Sequence, residues 1–148
     1  MNFSRWLCTP LVSKDNAVML ASMTDRKEIG MAKKSNYLFF ASMDVNPDKD
    51  DLFHEVYNTE HVPLLQTVPG VLSVARFQKE EFTLIIGGES RTVNVENEPR
   101  CTAMYEIESP EVLKSIAWGE AVDSGRWPDH VRPYTSNRRH VLIKRISS

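Results

Sequence analysis

Between Asp50 and Phe77 the spacing of apolar residues passes from helical to strand-like, and the rest of the chain is arranged around that stretch. Phe53, Val56, Tyr57 and Leu64 recur at helical intervals and form one buried stripe, while Lys49, Asp51, Glu55 and Thr59 fall off it and face water. Asn46-Pro47 predicts the helix start: an N-cap, then a proline at the first position, where its missing N–H costs nothing. Asp48, Asp50 and Asp51 follow in the first turns, where the helix dipole favours negative charge. Glu60 projects near the middle of the stripe and His61 onto its edge. Pro63 removes a donor and disfavours helical geometry at Val62, so a kink or restart is expected there. Pro69-Gly70 marks a turn, and Val71 to Phe77 a strand that is apolar on both faces except at Ser73 and Arg76.

The flanking pattern supplies the other elements. Asn36 to Val45 is the first strand, apolar on both faces at its start, so both faces need cover. Phe82 to Ile86 and Glu89 to Val95, joined at Gly87-Gly88, read as an inserted hairpin. Arg100 to Glu108 alternates. Cys101, Ala103, Tyr105 and Ile107 suit packing under helices, and Arg100, Thr102, Met104 and Glu106 suit the lining of a polar cavity. Ser109-Pro110-Glu111 opens a second helix with Val112, Leu113, Ile116 and Ala117 on its buried side, ending at Gly119 or Gly125. A short helical or irregular segment, Arg126 to Tyr134, leads to the last strand, Arg138 to Ile146.

The order β-α-β, hairpin, β-α-β predicts an α+β, ferredoxin-like split βαβ sandwich: a four-stranded antiparallel sheet with helices on one face. The free face is too apolar to leave wet, which predicts a homodimer. Residues 36–148 form this domain. Residues 1–35 lack a strand pattern and read as a flexible N-terminal extension. If Lys27-Glu28 is encoded AAG-GAG, a ribosome-binding sequence with Ile29-Gly30 as spacer, Met31 is the native start and the codons will show it.

The run NTEHVPLLQTVPGVLSVARF resembles the signature of the dimeric α/β-barrel superfamily and, within it, the EthD-like group: a helix ending in His-x-Pro, a short apolar segment, Pro-Gly, and a strand with a basic residue. The resemblance spans roughly Asn36 to Ile146. It implies that two sheets pair into a barrel and that His61, at the end of the first helix, lies close to the cavity. Relatives include polyketide cyclases, monooxygenases, isomerases and dehydratases, so the fold does not fix the reaction.

Composition narrows the classes. Hydrophobic content is 41%, charged content 26% and net charge −2 over 148 residues, which fits one globular domain with no electrostatic footprint for nucleic acid or an anionic membrane. Ala17 to Ala21 is too short to span a bilayer. Cys8 and Cys101 lie far apart with no metal spacing, which points to a reducing cytoplasm rather than a disulfide framework. No P-loop, G-x-G-x-x-G, G-x-S-x-G or H-E-x-x-H motif occurs, so neither a metal nor a cofactor is expected.

The candidate chemistry rests on His61, whose imidazole titrates near neutrality and can give or take a proton; the structural alternative is a helix-end contact to a loop carbonyl. Glu60 either orients His61 or reaches solvent. Arg76 and Glu106, placed on one sheet face, offer an oxyanion clamp and a desolvated acid, or else a cross-strand ion pair. Tyr57, Trp127 and His140 are expected to shape the substrate pocket, with His130 and Tyr134 nearby. The expected activity is cofactor-independent proton transfer on a hydrophobic, oxygenated small molecule, aromatic or polyketide-like: cyclisation, isomerisation, dehydration or oxygenation. The alternatives are a non-catalytic small-molecule-binding or accessory barrel and, since some relatives use a helix histidine as axial ligand, a haem protein.

Overall fold

The computed structural model describes residues 34–148; the first thirty-three residues, with Cys8 and the start at Met31, lie outside the described residues. Strands β1 (Tyr37–Val45), β2 (Val71–Gln78), β5 (Cys101–Ile107) and β6 (Thr135–Lys144) form one antiparallel sheet in the order β2-β5-β1-β6. Strands β3 (Phe82–Ile86) and β4 (Glu89–Val93) form a separate two-stranded sheet joined at Gly87-Gly88. The fold begins one residue earlier than the pattern of strand residues predicts. Ser35 is buried, and its hydroxyl donates to the Ile107 carbonyl.

Helices cover one face of the large sheet. Beneath them lie Ala41, Met43 and Val45 of β1 and Cys101, Ala103, Tyr105 and Ile107 of β5, all buried. Cys101 is a free thiol. The other face is open. It carries Leu38 and Phe40 of β1, Ala75 and Phe77 of β2, Met104 of β5, and Val141 and Ile143 of β6. Phe77 is 52% exposed and Val141 49%. The few polar groups on this face satisfy one another: Ser42 bonds Thr102 at 2.8 Å, Ser73 donates to Glu106 at 3.0 Å, and Arg139 pairs with Glu98 at 2.7 Å.

The first helical segment departs most from the simple projection. A 3-10 turn at Pro47–Lys49 precedes α1 (Asp50–Val56). Asn46 makes no side-chain cap; its carbonyl accepts from Lys49 N instead. Tyr57–His61 then forms a π-helical turn in which the Val62 N–H reaches back five residues to the Tyr57 carbonyl, and α2 (Val62–Gln66) follows. Val62 keeps helical angles of φ −63 and ψ −49 despite preceding a proline. A π-turn accommodates one extra residue per turn, so it absorbs the missing Pro63 donor and advances the helix phase. Phe53, Tyr57, His61 and Leu65, each four apart, are accordingly buried, with Val56 beside them. Leu65, not Leu64, sits deepest. Likewise His61 takes the middle of the stripe, and Glu60 moves off it.

Glu60 instead ties this segment to the loop beyond the next helix. It accepts from Arg126 N at 2.9 Å and from Arg126 Nε at 2.6 Å, and Arg126 also pairs with Glu55 at 2.7 Å. Gly125 makes that approach possible. Its φ is +69, and a Cβ there would stand 2.7 Å from Glu60 Oε2.

After β5 the chain takes a 3-10 turn at Pro110–Lys114 before α3 (Ile116–Val122), whose N-cap is Ser115 accepting from Trp118 N at 3.1 Å. Gly119 lies inside this helix rather than ending it. Ile116, expected in the core, is 80% exposed. A second π-helical turn, Trp127–Val131, leads through Arg132–Tyr134 into β6, which starts three residues before the predicted Arg138. No helix among the described residues is long and apolar enough to cross a membrane.

Candidate functional site

The two π-helical turns pack against each other and place the site. Trp127, first residue of the second turn, lies stacked on His61, last residue of the first, with ring centroids 4.4 Å apart and planes 23° apart. Tyr57 meets both rings edge-on at 5.0 Å. These three rings form one wall of a cavity of about 260 Å³ between the helices and the sheet. Phe39, Tyr105 and Trp118 also line it, with Trp118 edge-on to Phe39 at 5.8 Å and to Tyr105 at 5.4 Å. Arg132, Arg138 and His140 supply its polar lining, and His140 stacks on Phe39 at 5.8 Å.

His61 is 4% exposed, and its Nδ1 is buried with no hydrogen-bond partner among the described residues. Burial, reinforced by the charges of Arg132 and Arg76, pushes its pKa from 6.5 to about 4. The ring is therefore neutral at physiological pH, with one N–H and one lone pair. Among the described residues it bonds no loop carbonyl at the helix end, the contact that the structural alternative required. Tyr57 and Tyr105 touch through their hydroxyls at 3.4 Å, and burial holds both phenols protonated by raising their pKa values.

Arg76 stands behind this wall rather than in the cavity. Its guanidinium lies over the Tyr57 ring at 4.4 Å and the Phe53 ring at 5.3 Å. It donates to Asn58 Oδ1 at 2.5 Å and to His54 Nδ1 at 3.0 Å. An arginine can only donate, so His54 keeps its lone pair on Nδ1. Arg76 thus touches the cavity wall at Tyr57 and acts on His61 through its charge.

Alternation alone puts Arg76 and Glu106 on one sheet face; the register separates them. Arg76 lies opposite Ala103, under the helices, while Glu106 lies on the open face and accepts from Ser35 N and the Ser73 hydroxyl. The cause is an irregularity between Val71 and Ser73, which shifts the pairing of β2 by one residue and so reverses which side chains share a face. The open face has a mostly apolar pocket of its own, lined by Phe40, Phe77, Thr102 and Met104 but not by Glu106, while the cavity with His61 lies on the helix side.

His61, Tyr57, Trp127 and His140 therefore converge on one cavity, Arg76 supports it from behind, and Glu106 is apart from it. Sequence reasoning missed Phe39, Tyr105, Trp118, Arg132 and Arg138. Tyr105 and Phe39 carried a signal, since each alternates onto a face otherwise apolar; the two arginines carried none. Among the described residues no group of three or more His, Cys, Asp or Glu side chains could hold a metal ion. The cavity falls below the ~300–1,000 Å³ usual for drug-sized ligands.

Comparison with protein-family models gives no match, and comparison with curated proteins gives none.

Proposed function

We propose that this chain is a small, cofactor-independent enzyme of the dimeric α/β-barrel type, resembling the EthD-like group, that acts by proton transfer at His61 on a hydrophobic, oxygenated molecule of aromatic or polyketide type. One observation carries the reading: a buried, neutral imidazole with an unpartnered nitrogen in a cavity walled by aromatic rings. No protein group among the described residues fixes its tautomer, so the ring can either accept a proton from a bound molecule or donate one. Tyr57 and Trp127 hold a planar ligand beside it, and Arg76 fixes the Tyr57 ring. Cyclisation, isomerisation, dehydration and cofactor-free oxygenation can each begin with such a transfer. Glu106 takes no part and belongs to the open face.

The family reading draws support from the sheet. The strand order β6-β1-β5-β2, antiparallel, with helices on one face, matches a ferredoxin-like split βαβ sandwich. A second copy of the chain covers the open face, sheet against sheet, and the exposed Phe82, Ile85 and Ile86 of the hairpin add to that contact. Light scattering should give twice the 16.9 kDa chain mass, and Phe77→Asp should return the monomer. A monomeric wild type would remove the barrel. We place the protein in the cytoplasm, where its buried Cys101 stays reduced.

The pH profile tests the proton-transfer role. With a substrate found by screening oxygenated aromatics, kcat/KM should fall only as pH drops through about 4 and stay level up to neutrality, because the neutral ring is the working form. An acid limb at 6.5, the ordinary histidine value, would show a solvated His61 and remove the reading. A second reading, binding without turnover, is favoured by one observation: among the described residues no carboxylate or hydroxyl orients Nδ1, as a dedicated base normally requires.

A further inference from the structure

The polar lining of the cavity is unbalanced in charge. Two arginines, Arg132 and Arg138, line it, and among the described residues no aspartate or glutamate does. The two are not equivalent. Arg132 is neutralised, since its Nη2 donates to Asp123 Oδ1 at 2.6 Å and to the Val122 carbonyl at 2.7 Å. Arg138 has no carboxylate partner among the described residues. Its Nε donates to Thr135 Oγ1 at 2.7 Å and its Nη2 to the Arg132 carbonyl, contacts that hold the guanidinium in place without cancelling its charge. Its Nη1 makes no hydrogen bond among the described residues. Arg138, exposed at the rim of the cavity, is thus positioned by two neutral acceptors with part of its donor fork open, and Nδ1 of His61 in the same cavity also has no hydrogen-bond partner among the described residues.

We propose that the ligand of this cavity is a planar aromatic molecule bearing a carboxylate, and that Arg138 is the residue that binds the carboxylate. The inference rests on the cavity being the ligand site and adds the class of ligand. A guanidinium presents parallel N–H groups that match the two oxygens of a carboxylate, and the charge makes each bond stronger than a neutral one. The rings of Phe39, Tyr105 and Trp118 then take the aromatic body. With the carboxylate anchored at Arg138, the body of the ligand extends toward His61, which lines the same cavity. Arg138 is a specificity residue in this arrangement; it takes no part in proton transfer.

The test uses two probes of one shape, 2-naphthoate and its neutral counterpart 2-naphthamide, titrated into the full-length protein by calorimetry. Quenching of Trp118 and Trp127 fluorescence reports occupancy of the cavity itself. The wild type should bind naphthoate at least tenfold more tightly than the amide. Arg138→Gln should abolish that preference by weakening naphthoate far more than the amide, and Arg138→Lys, which keeps the charge but not the fork, should restore part of it. Arg139→Gln, on the opposite face and paired with Glu98, should change neither affinity. Equal binding of both probes by the wild type, or a preference that survives Arg138→Gln, overturns the carboxylate assignment and leaves the cavity as a ligand site. Failure of both probes to bind overturns the cavity reading and the assignment together.

Discussion

His61→Gln is expected to lower turnover on the cavity's substrate by roughly 10²–10⁴-fold, the usual contribution of a positioned acid–base group, while ligand affinity changes only a few-fold. Glutamine keeps a hydrogen-bonding group at the cavity wall but cannot carry a proton at any working pH. The same variant has a second readout in stability. The folded-state pKa of His61 is depressed from 6.5 to about 4, so the unfolded chain binds more protons between those values. Stability from this group is complete above pH 6.5 and is lost as pH falls to about 4, a swing of ~3 kcal/mol at most. His61→Gln should flatten that part of the acid unfolding curve. A variant with full turnover would show that the protein binds rather than catalyses or that its chemistry lies elsewhere. An unchanged acid slope would show that the ring is solvated.

Trp127→Ala is expected to cost ~3–5 kcal/mol, the range for deleting a large buried aromatic side chain. Trp127 is 5% exposed and touches His61, Tyr57 and Phe53, with ring centroids 4.4, 5.0 and 6.1 Å away. It fastens the second π-helical turn to the first, so its loss opens the layer that holds His61. Against a typical total of ~5–15 kcal/mol, this leaves little margin. The melting temperature followed by circular dichroism should fall by more than about 10 °C. Trp127→Phe, which keeps a ring against His61, should recover a large part of the loss. A melting temperature within about 2 °C of wild type would show that the two turns hold together without Trp127.

The strands were largely legible in the sequence because alternation and turn residues act locally. Gly87-Gly88 between two β-rich runs located the hairpin, and the alternation of Cys101 to Ile107 identified the face that lies under the helices. What failed to show depends on single-residue offsets. The π-helical turn inserts one residue into the helical phase, which exchanged the positions of Glu60 and His61 and of Leu64 and Leu65. Pro63 advertised an irregularity, but a kink, a restart and a widened turn all satisfy a missing N–H. The irregularity between Val71 and Ser73 had the same effect on β2, sending Arg76 to one face and Glu106 to the other. Arg138 was out of reach for another reason: its importance lies in what does not pair with it, and pairing depends on tertiary structure.

The sheet is closed by β6, which lies against β1, the first strand of the fold. During synthesis β1 therefore emerges long before its outer neighbour exists. Until residues 135–144 leave the ribosome, one side of β1 offers unpaired backbone groups, and the cavity lacks Arg138 and His140. The nascent chain cannot assemble a working site piece by piece, and its folding is governed by a contact between distant parts of the sequence, which favours slow, late folding. A ribosome-stalled chain lacking β6 should remain open to protease, whereas the released chain should not.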